Sequence, residues 1–171
     1  MAFATMQQAS SRFPFIETFS EAVSSQSSGQ RPSTLIPARV LVNLCINVRR
    51  DLSYVSLLQE DAQEDLRSCS AYHTTWIENV RRDASQALLD FNSYLQHKIS
   101  TGKGDEAPIK ITKVMKNGRK MASLERELNA AHVGLVSIIG FMQLLVLKRG
   151  KLLLDPSQNG EASQAVLPVV N

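Results

Sequence analysis

Apolar residues recur at spacings of three and four along four stretches of the chain, which is the period of one buried helix face. The first stretch, around Phe13 and Phe19, predicts a short helix over residues 14–25 with Pro14 in its first turn. The second predicts one continuous helix beginning near Pro37, with Asp51 and Glu64 on its polar face. The apolar positions of this second helix are Val40, Leu41, Leu44, Cys45, Val48, Leu52, Val55, Leu58, Ala62, Leu66 and Cys69.

Two later stretches predict two more long helices. One covers about residues 73–99, and Trp76 at its start is in phase with its apolar face, which predicts a core anchor. The other follows Lys110, where Gly118 divides a short helix or strand-like piece from a long helix. Heptad spacing in that long helix is carried by Met121, Leu124, Leu128, Ala131, Leu135, Ile138, Met142 and Leu145.

These elements predict an all-α fold, an antiparallel helical bundle of three long helices plus a short N-terminal helix. Each apolar stripe has to be buried, and packing the helices against one another buries all of them together. We expect a single domain over residues 13–154, with a flexible N-terminal tail (1–12), a disordered C-terminal tail (155–171) and loops at 24–33 and 100–109.

Charge and cysteine content say little about the binding partner or the cellular compartment. The 171 residues include 19 basic and 16 acidic side chains, a net charge of +3, which is too balanced to indicate nucleic acid or an anionic membrane. Two cysteines in apolar phase, Cys45 and Cys69, suit reduced core thiols in the cytoplasm or nucleus. The serine-rich, acid-poor N-terminus lacks the pattern of a secretory signal and leaves a mitochondrial presequence open.

The sequence contains no recognisable catalytic, cofactor or metal motif. HExxH, CxxC and GxSxG are all missing, and the spacing of Cys69 and His73 supplies only two of about four ligands that zinc requires. The segment TGKGDE at 101–106 lacks the spacing of a phosphate-binding loop. We therefore predict no catalytic residue, no cofactor and no metal, and a satisfied or half-buried His132.

Basic residues recur at spacings of three or four before and after Gly118, and would form one stripe if that segment is helical. Such a stripe suits an anionic partner, or it is a solvated face. Nucleic-acid binding has weak support, because no aromatic side chains alternate with the charges. The stripe consists of Lys110, Lys113, Lys116, Arg119 and Lys120.

The segment 133–147 contains no charged residue. It is shorter than a membrane-spanning helix, which needs about 20 apolar residues. It is a central core helix, or alternatively an oligomer interface or a segment that inserts into membrane after rearrangement. Its candidate core or interface residues are Leu135, Ile138, Met142 and Leu145.

Three segments in succession carry a family resemblance: DLSYVSLLQEDAQEDLRSC, YHTTWIENVRRDASQALLDF and, after a basic loop, LERELNAAHVGLVSII. Together they resemble an uncharacterised helical domain of filamentous fungi, over roughly residues 38–146. Trp76-Ile77 and His132 are the most distinctive matches, whereas the basic segment lacks the aromatic residue of that pattern. Such domains are similar in outline to the N-terminal helical modules of fungal signalling and cell-death proteins.

The favoured functional hypothesis is a non-enzymatic helical module that presents a face or groove to a protein partner. The first alternative is a membrane-active bundle of the fungal cell-death type, which would use the apolar helix 133–147 and the basic stripe 110–120. The second is an enzyme whose site is assembled from separated residues. Homo-oligomerisation is left open.

Overall fold

The computed structural model describes residues 13–25, 32–100 and 110–154, and side chains up to residue 150. The two predicted tails, 1–12 and 155–171, lie outside the described residues, as do the central parts of the two predicted loops.

Six helices account for nearly all of the described chain. They are α1 (Pro14–Ser25), α2 (Pro32–Asp61), α3 (Gln63–Ser68), α4 (Ala71–Ser100), α5 (Ile111–Met115) and α6 (Gly118–Leu154). The described residues contain no strand, so the all-α prediction is confirmed and the strand-like alternative for the segment after Lys110 is wrong. The predicted count of one short helix leaves out α3, whereas α5 corresponds to the short-helix alternative for the segment before Gly118.

The second predicted helix differs from α2 at both ends. It begins at Pro32 rather than near Pro37, and Pro37 lies inside it. Pro37 is exposed, so the carbonyl left without its N–H partner can be solvated. The helix also does not continue unbroken to Cys69: Ala62, with φ −92° and ψ 9°, separates α2 from α3. Because Ala62 still bonds to Leu58 and Leu66 through the backbone, the break is a local change of direction.

The contacts between helices establish their directions. His132 of α6 meets Asp51 of α2, and eleven positions later in α6 Gln143 meets Tyr54, so α2 and α6 run in the same direction. Arg81, near the start of α4, bonds to Gln59, near the end of α2, so α4 runs opposite to α2. The heaviest packing is between α2 and α6, followed by α4 and α6.

Apolar side chains from all six helices meet in one core, to which α3 contributes Leu66. Phe19 of α1 and Phe91 of α4 pack edge to face with ring centroids 6.1 Å apart. The short α5 buries Ile111 and is tied to α4 by the Tyr94 hydroxyl, which donates to the Val114 carbonyl at 2.8 Å. Burial raises the pKa of that phenol, so it remains a hydrogen-bond donor. Each fully buried side chain stabilises the fold by about 1.5–3 kcal/mol.

Candidate interaction surface

Helix α6 has two apolar faces. The inner face contains the predicted positions Leu135, Ile138 and Met142, which are fully buried, while Leu145 is partly buried against the same core. These four residues are therefore core rather than free surface. The helix also places four aliphatic side chains in solvent, which the sequence analysis did not separate from the inner face. They are Val133, Val136, Leu144 and Leu147, with 56%, 50%, 67% and 63% of their surface exposed.

We call these four residues, together with Gly140 between them, the outer stripe. Their spacings of three and four place them along one side of the helix, away from the inner face. No charged residue lies between Val133 and Leu147 to interrupt the stripe. The sequence did indicate a second apolar face. A charge-free run of this length is apolar on every side, whereas a helix at the edge of a core needs only one apolar face.

Two glycines on α6 differ in what surrounds them. A Cβ at Gly134 would lie 2.8 Å from Cγ1 of Val80, so the absence of a side chain there lets α4 and α6 approach closely. A Cβ at Gly140 would meet none of the described residues within 4 Å. Gly134 thus has a packing role inside the molecule, whereas Gly140 faces open space.

Helix α2 borders the outer stripe through one polar contact. The side-chain amide of Gln143 donates to the hydroxyl of Tyr54 at 3.3 Å. Tyr54 is itself 40% exposed, so its ring extends the apolar surface of α6 toward α2. The stripe therefore belongs to a surface made by two helices.

The predicted basic stripe is divided between two helices. All five of its residues are exposed, but Lys110 precedes α5, Lys113 lies inside it, and Lys116 and Asn117 separate α5 from α6. Asn117 begins α6 by accepting the backbone N–H of Lys120 at 3.2 Å. Arg119 and Lys120 consequently lie in the first turn of α6, about 20 Å before Val133 at 1.5 Å per residue.

A polar pair joins α2 to α6. The carboxylate of Asp51 is only 6% exposed, and its Oδ2 lies 2.8 Å from Nδ1 of His132. The other oxygen, Oδ1, accepts both Nε and Nη2 of Arg50 at 3.2 Å. The assignment of Asp51 to the polar face was wrong, whereas the half-buried, satisfied His132 is as predicted. Asp51 lies three residues after Val48 and four before Val55, which is the spacing of a core position. The neighbouring Leu52 also fits that spacing and, being apolar, was taken as the core residue.

The aromatic residues near the start of α4 pack against Phe141 of α6. Trp76 meets Phe141 edge to face with ring centroids 5.8 Å apart, and His73 stacks on Phe141 at 5.0 Å. Trp76 is only partly buried, so it lies against the core rather than inside it. The expected core anchor is instead supplied by Ile77, which is 1% exposed.

The two cysteines occupy different environments. Cys45 is fully buried in α2, and burial raises the pKa of its thiol to about 12, although the Arg49 guanidinium opposes that shift. Cys69 lies between α3 and α4 and is partly exposed, so its assignment to the core was wrong. Among the described residues no three metal-ligating side chains come together.

By length and composition alone, the stretch Gly118–Gly150 of α6 could cross a membrane. Core helices of soluble proteins share this property, so by itself it is weak evidence of a membrane span. Only 22% of its most apolar window is buried, which agrees with the exposure of the outer stripe.

Comparison of the chain with protein-family models, with curated proteins and with solved structures finds no match. The resemblance to a fungal helical domain stays a prediction from the sequence.

Proposed function

We propose that this protein is a non-enzymatic helical interaction module that binds a protein partner through the outer stripe of α6. The observation that carries the proposal is the second apolar face of α6, with four aliphatic side chains half or more exposed in a charge-free segment. The antiparallel bundle predicted from the sequence is the scaffold of this proposal, and we place the module inside the cell, in the cytoplasm or nucleus.

Exposed aliphatic surface is unfavourable in water, so covering the outer stripe with a partner lowers the free energy. An aliphatic side chain on a soluble surface gains roughly 25 cal/mol for each Å² it removes from water when a partner covers it. Single exposed apolar residues are ordinary, but a contiguous stripe marks a binding surface. Spacings of three and four are also those at which one helix presents anchors to a groove or to another helix.

The polar pair of Asp51 and His132 supports a structural role rather than catalysis. Both oxygens of Asp51 are engaged, by Arg50 and by His132, and the carboxylate is closed off from solvent. A buried, hydrogen-bonded carboxylate between two helices specifies how those helices pack. The enzyme alternative gains no support from this pair.

A membrane-active bundle is the second candidate function. The span-like length and low burial of α6 favour it, because a helix with two apolar faces could leave the core and enter lipid. The basic residues Arg119 and Lys120 at one end, and Lys148 and Arg149 at the other, would suit anionic headgroups. A resting packing in which Ile138 and Met142 are fully buried opposes it, because insertion would have to undo that core.

Site-specific photo-crosslinking in cells tests the proposal. A photoreactive amino acid replaces Leu144 in the outer stripe, and in a matched control it replaces the exposed Glu78 of α4. We expect a discrete protein adduct at position 144 that is lost when Val136→Asp is added, and no such adduct at position 78. Identical adducts at both positions would contradict the proposal, and adducts to lipid alone would favour the membrane candidate.

A further inference from the structure

Gly140 lowers the stability of helix α6, and no contact in the described part of the chain offsets this loss. A glycine in a helix interior is about 1 kcal/mol less favourable than alanine. At Gly134 the close approach of Val80 accounts for the glycine, since an added Cβ would collide with it. At Gly140 an added Cβ would meet no described residue within 4 Å, so no contact within the described part of the chain requires a glycine there.

The outer stripe is symmetric about this glycine. Val133 and Leu147 lie seven positions to either side of Gly140, and Val136 and Leu144 lie four positions to either side. A two-fold axis through Gly140 would therefore place each valine of one helix against a leucine of an antiparallel copy. Ser137 and Gln143, three positions to either side, are related in the same way, so their polar side chains would also meet.

Resting on the proposed function, we propose that the partner bound by the outer stripe is a second copy of this chain, with two α6 helices packed antiparallel and crossing at Gly140. The absent side chain lets the two backbones approach closely, as small residues do where helices cross. The contact uses the same patch on both copies, so it closes as a dimer and does not propagate into a filament.

The available area is of the right order for a weak dimer. The four aliphatic side chains are each half or more exposed, and together they offer less than the roughly 800 Å² per partner of a standard interface. The exposed parts of Tyr54 and Gln143 border the stripe and bring the contact closer to that size. We expect a dissociation constant in the micromolar range, about 1–100 µM, which fits a contact at the lower end of this scale.

Gly140→Leu separates this geometry from non-specific apolar association. Leucine forms helix better than glycine and its Cβ has open space, so the folded monomer is expected to be retained or stabilised. At a helix crossing the leucine would hold the two backbones apart. Sedimentation velocity of the full chain over about 1–200 µM, spanning the expected affinity, should therefore show a wild-type dimer and at least tenfold weaker association of the variant. Unchanged or stronger association of Gly140→Leu would overturn the proposal.

A charge exchange tests the antiparallel register. Val136→Glu and Leu144→Lys should each abolish the dimer, because an introduced charge would face an aliphatic side chain of the other copy. The double variant should restore it, because each introduced carboxylate would meet an introduced ammonium of the other copy, twice per dimer. The two positions are eight residues apart, too far for a pair within one helix. Failure of the double variant to dimerise, with circular dichroism showing it folded, would overturn this register.

The same measurements distinguish this inference from the proposed function. A wild-type chain that stays monomeric to about 200 µM, yet crosslinks from position 144 to a different protein, would overturn the homodimer and leave the interaction module standing. A monomer without any protein adduct at position 144 would overturn both. Flotation of the wild-type chain with anionic vesicles, without dimerisation, would overturn the homodimer in favour of a lipid-binding surface.

Discussion

Asp51 of α2 and His132 of α6, 81 positions apart in the chain, meet through Oδ2 and Nδ1 at 2.8 Å. Because a carboxylate oxygen only accepts, Nδ1 carries the proton and donates. The carboxylate is 6% exposed and the imidazole 26%, so the contact is shielded from solvent on the carboxylate side. It connects the two most extensively packed helices of the described chain with a directional bond.

We predict that this pair is strongly coupled. In a double-mutant cycle of Asp51→Ala and His132→Ala at neutral pH, we expect a coupling of about 1–3 kcal/mol in the free energy of unfolding. Most of the single-variant loss should come from leaving one buried polar group without its partner. Urea denaturation gives the four stabilities. A coupling below about 0.5 kcal/mol, as for an exposed ion pair, would contradict this role.

We predict that a lysine is tolerated on one face of α6 and not on the other. Ile138 is fully buried, so Ile138→Lys should unfold or aggregate the protein, because an unpaired buried charge costs several kcal/mol. Val136 is 50% exposed, and Val136→Lys on the same helix should leave a soluble, cooperative, helical protein. Circular dichroism and thermal melts compare the two. A stable Ile138→Lys variant would show that the inner face is not core.

We predict that Phe91 contributes more to stability than Trp76. Phe91→Ala should cost about 3–5 kcal/mol, since the ring is fully buried against Phe19. Trp76→Ala should cost less, about 1–3 kcal/mol, because only part of the indole is buried, against Phe141. Chemical denaturation measures both. The reverse order would place the indole in the core and the Phe91 ring nearer the surface.

The Cys45 thiol should make stability fall at alkaline pH. Burial raises its pKa from 9.0 to about 12, so between those values the unfolded chain loses a proton that the folded chain retains. The stabilising contribution of the buried thiol is therefore complete below pH 9 and is lost as pH rises toward 12, at about 1 kcal/mol per pH unit.

Comparison with Cys45→Ala isolates this contribution from the other groups that titrate at alkaline pH. The slope of unfolding free energy against pH should be shallower in the variant over this interval. In the wild type at neutral pH, a thiol reagent should label the partly exposed Cys69 rapidly and Cys45 only after unfolding. Equal slopes, or equally rapid labelling of both thiols, would contradict the assignment of Cys45 to the core.

The hydrophobic periodicity alone was sufficient to predict α1 and the three long helices. Residues such as Phe19, Leu88 and Leu128 lie at spacings that only a helix brings onto one face, and the structure buries all three. The boundaries were less predictable, because Pro37 is tolerated inside α2 and Ala62 interrupts a pattern that continues across it. A hydrophobic pattern reports which residues share a face, and it is insensitive to a local change of direction.

The candidate surface depended on tertiary structure. Asp51 and Leu52 are adjacent in sequence and either fits the core phase of α2. Burial of the carboxylate depends on its hydrogen bonds with Arg50 and with His132, and the second of these exists only because α6 packs against α2.

On α6 the sequence determined that residues 133–147 form an apolar helix without charges, because its composition admits little else. Packing decided that Leu135 and Ile138 face the core while Val136 and Leu144 face solvent, because α2 and α4 cover only one side of the helix and a uniformly apolar segment does not specify which side that is.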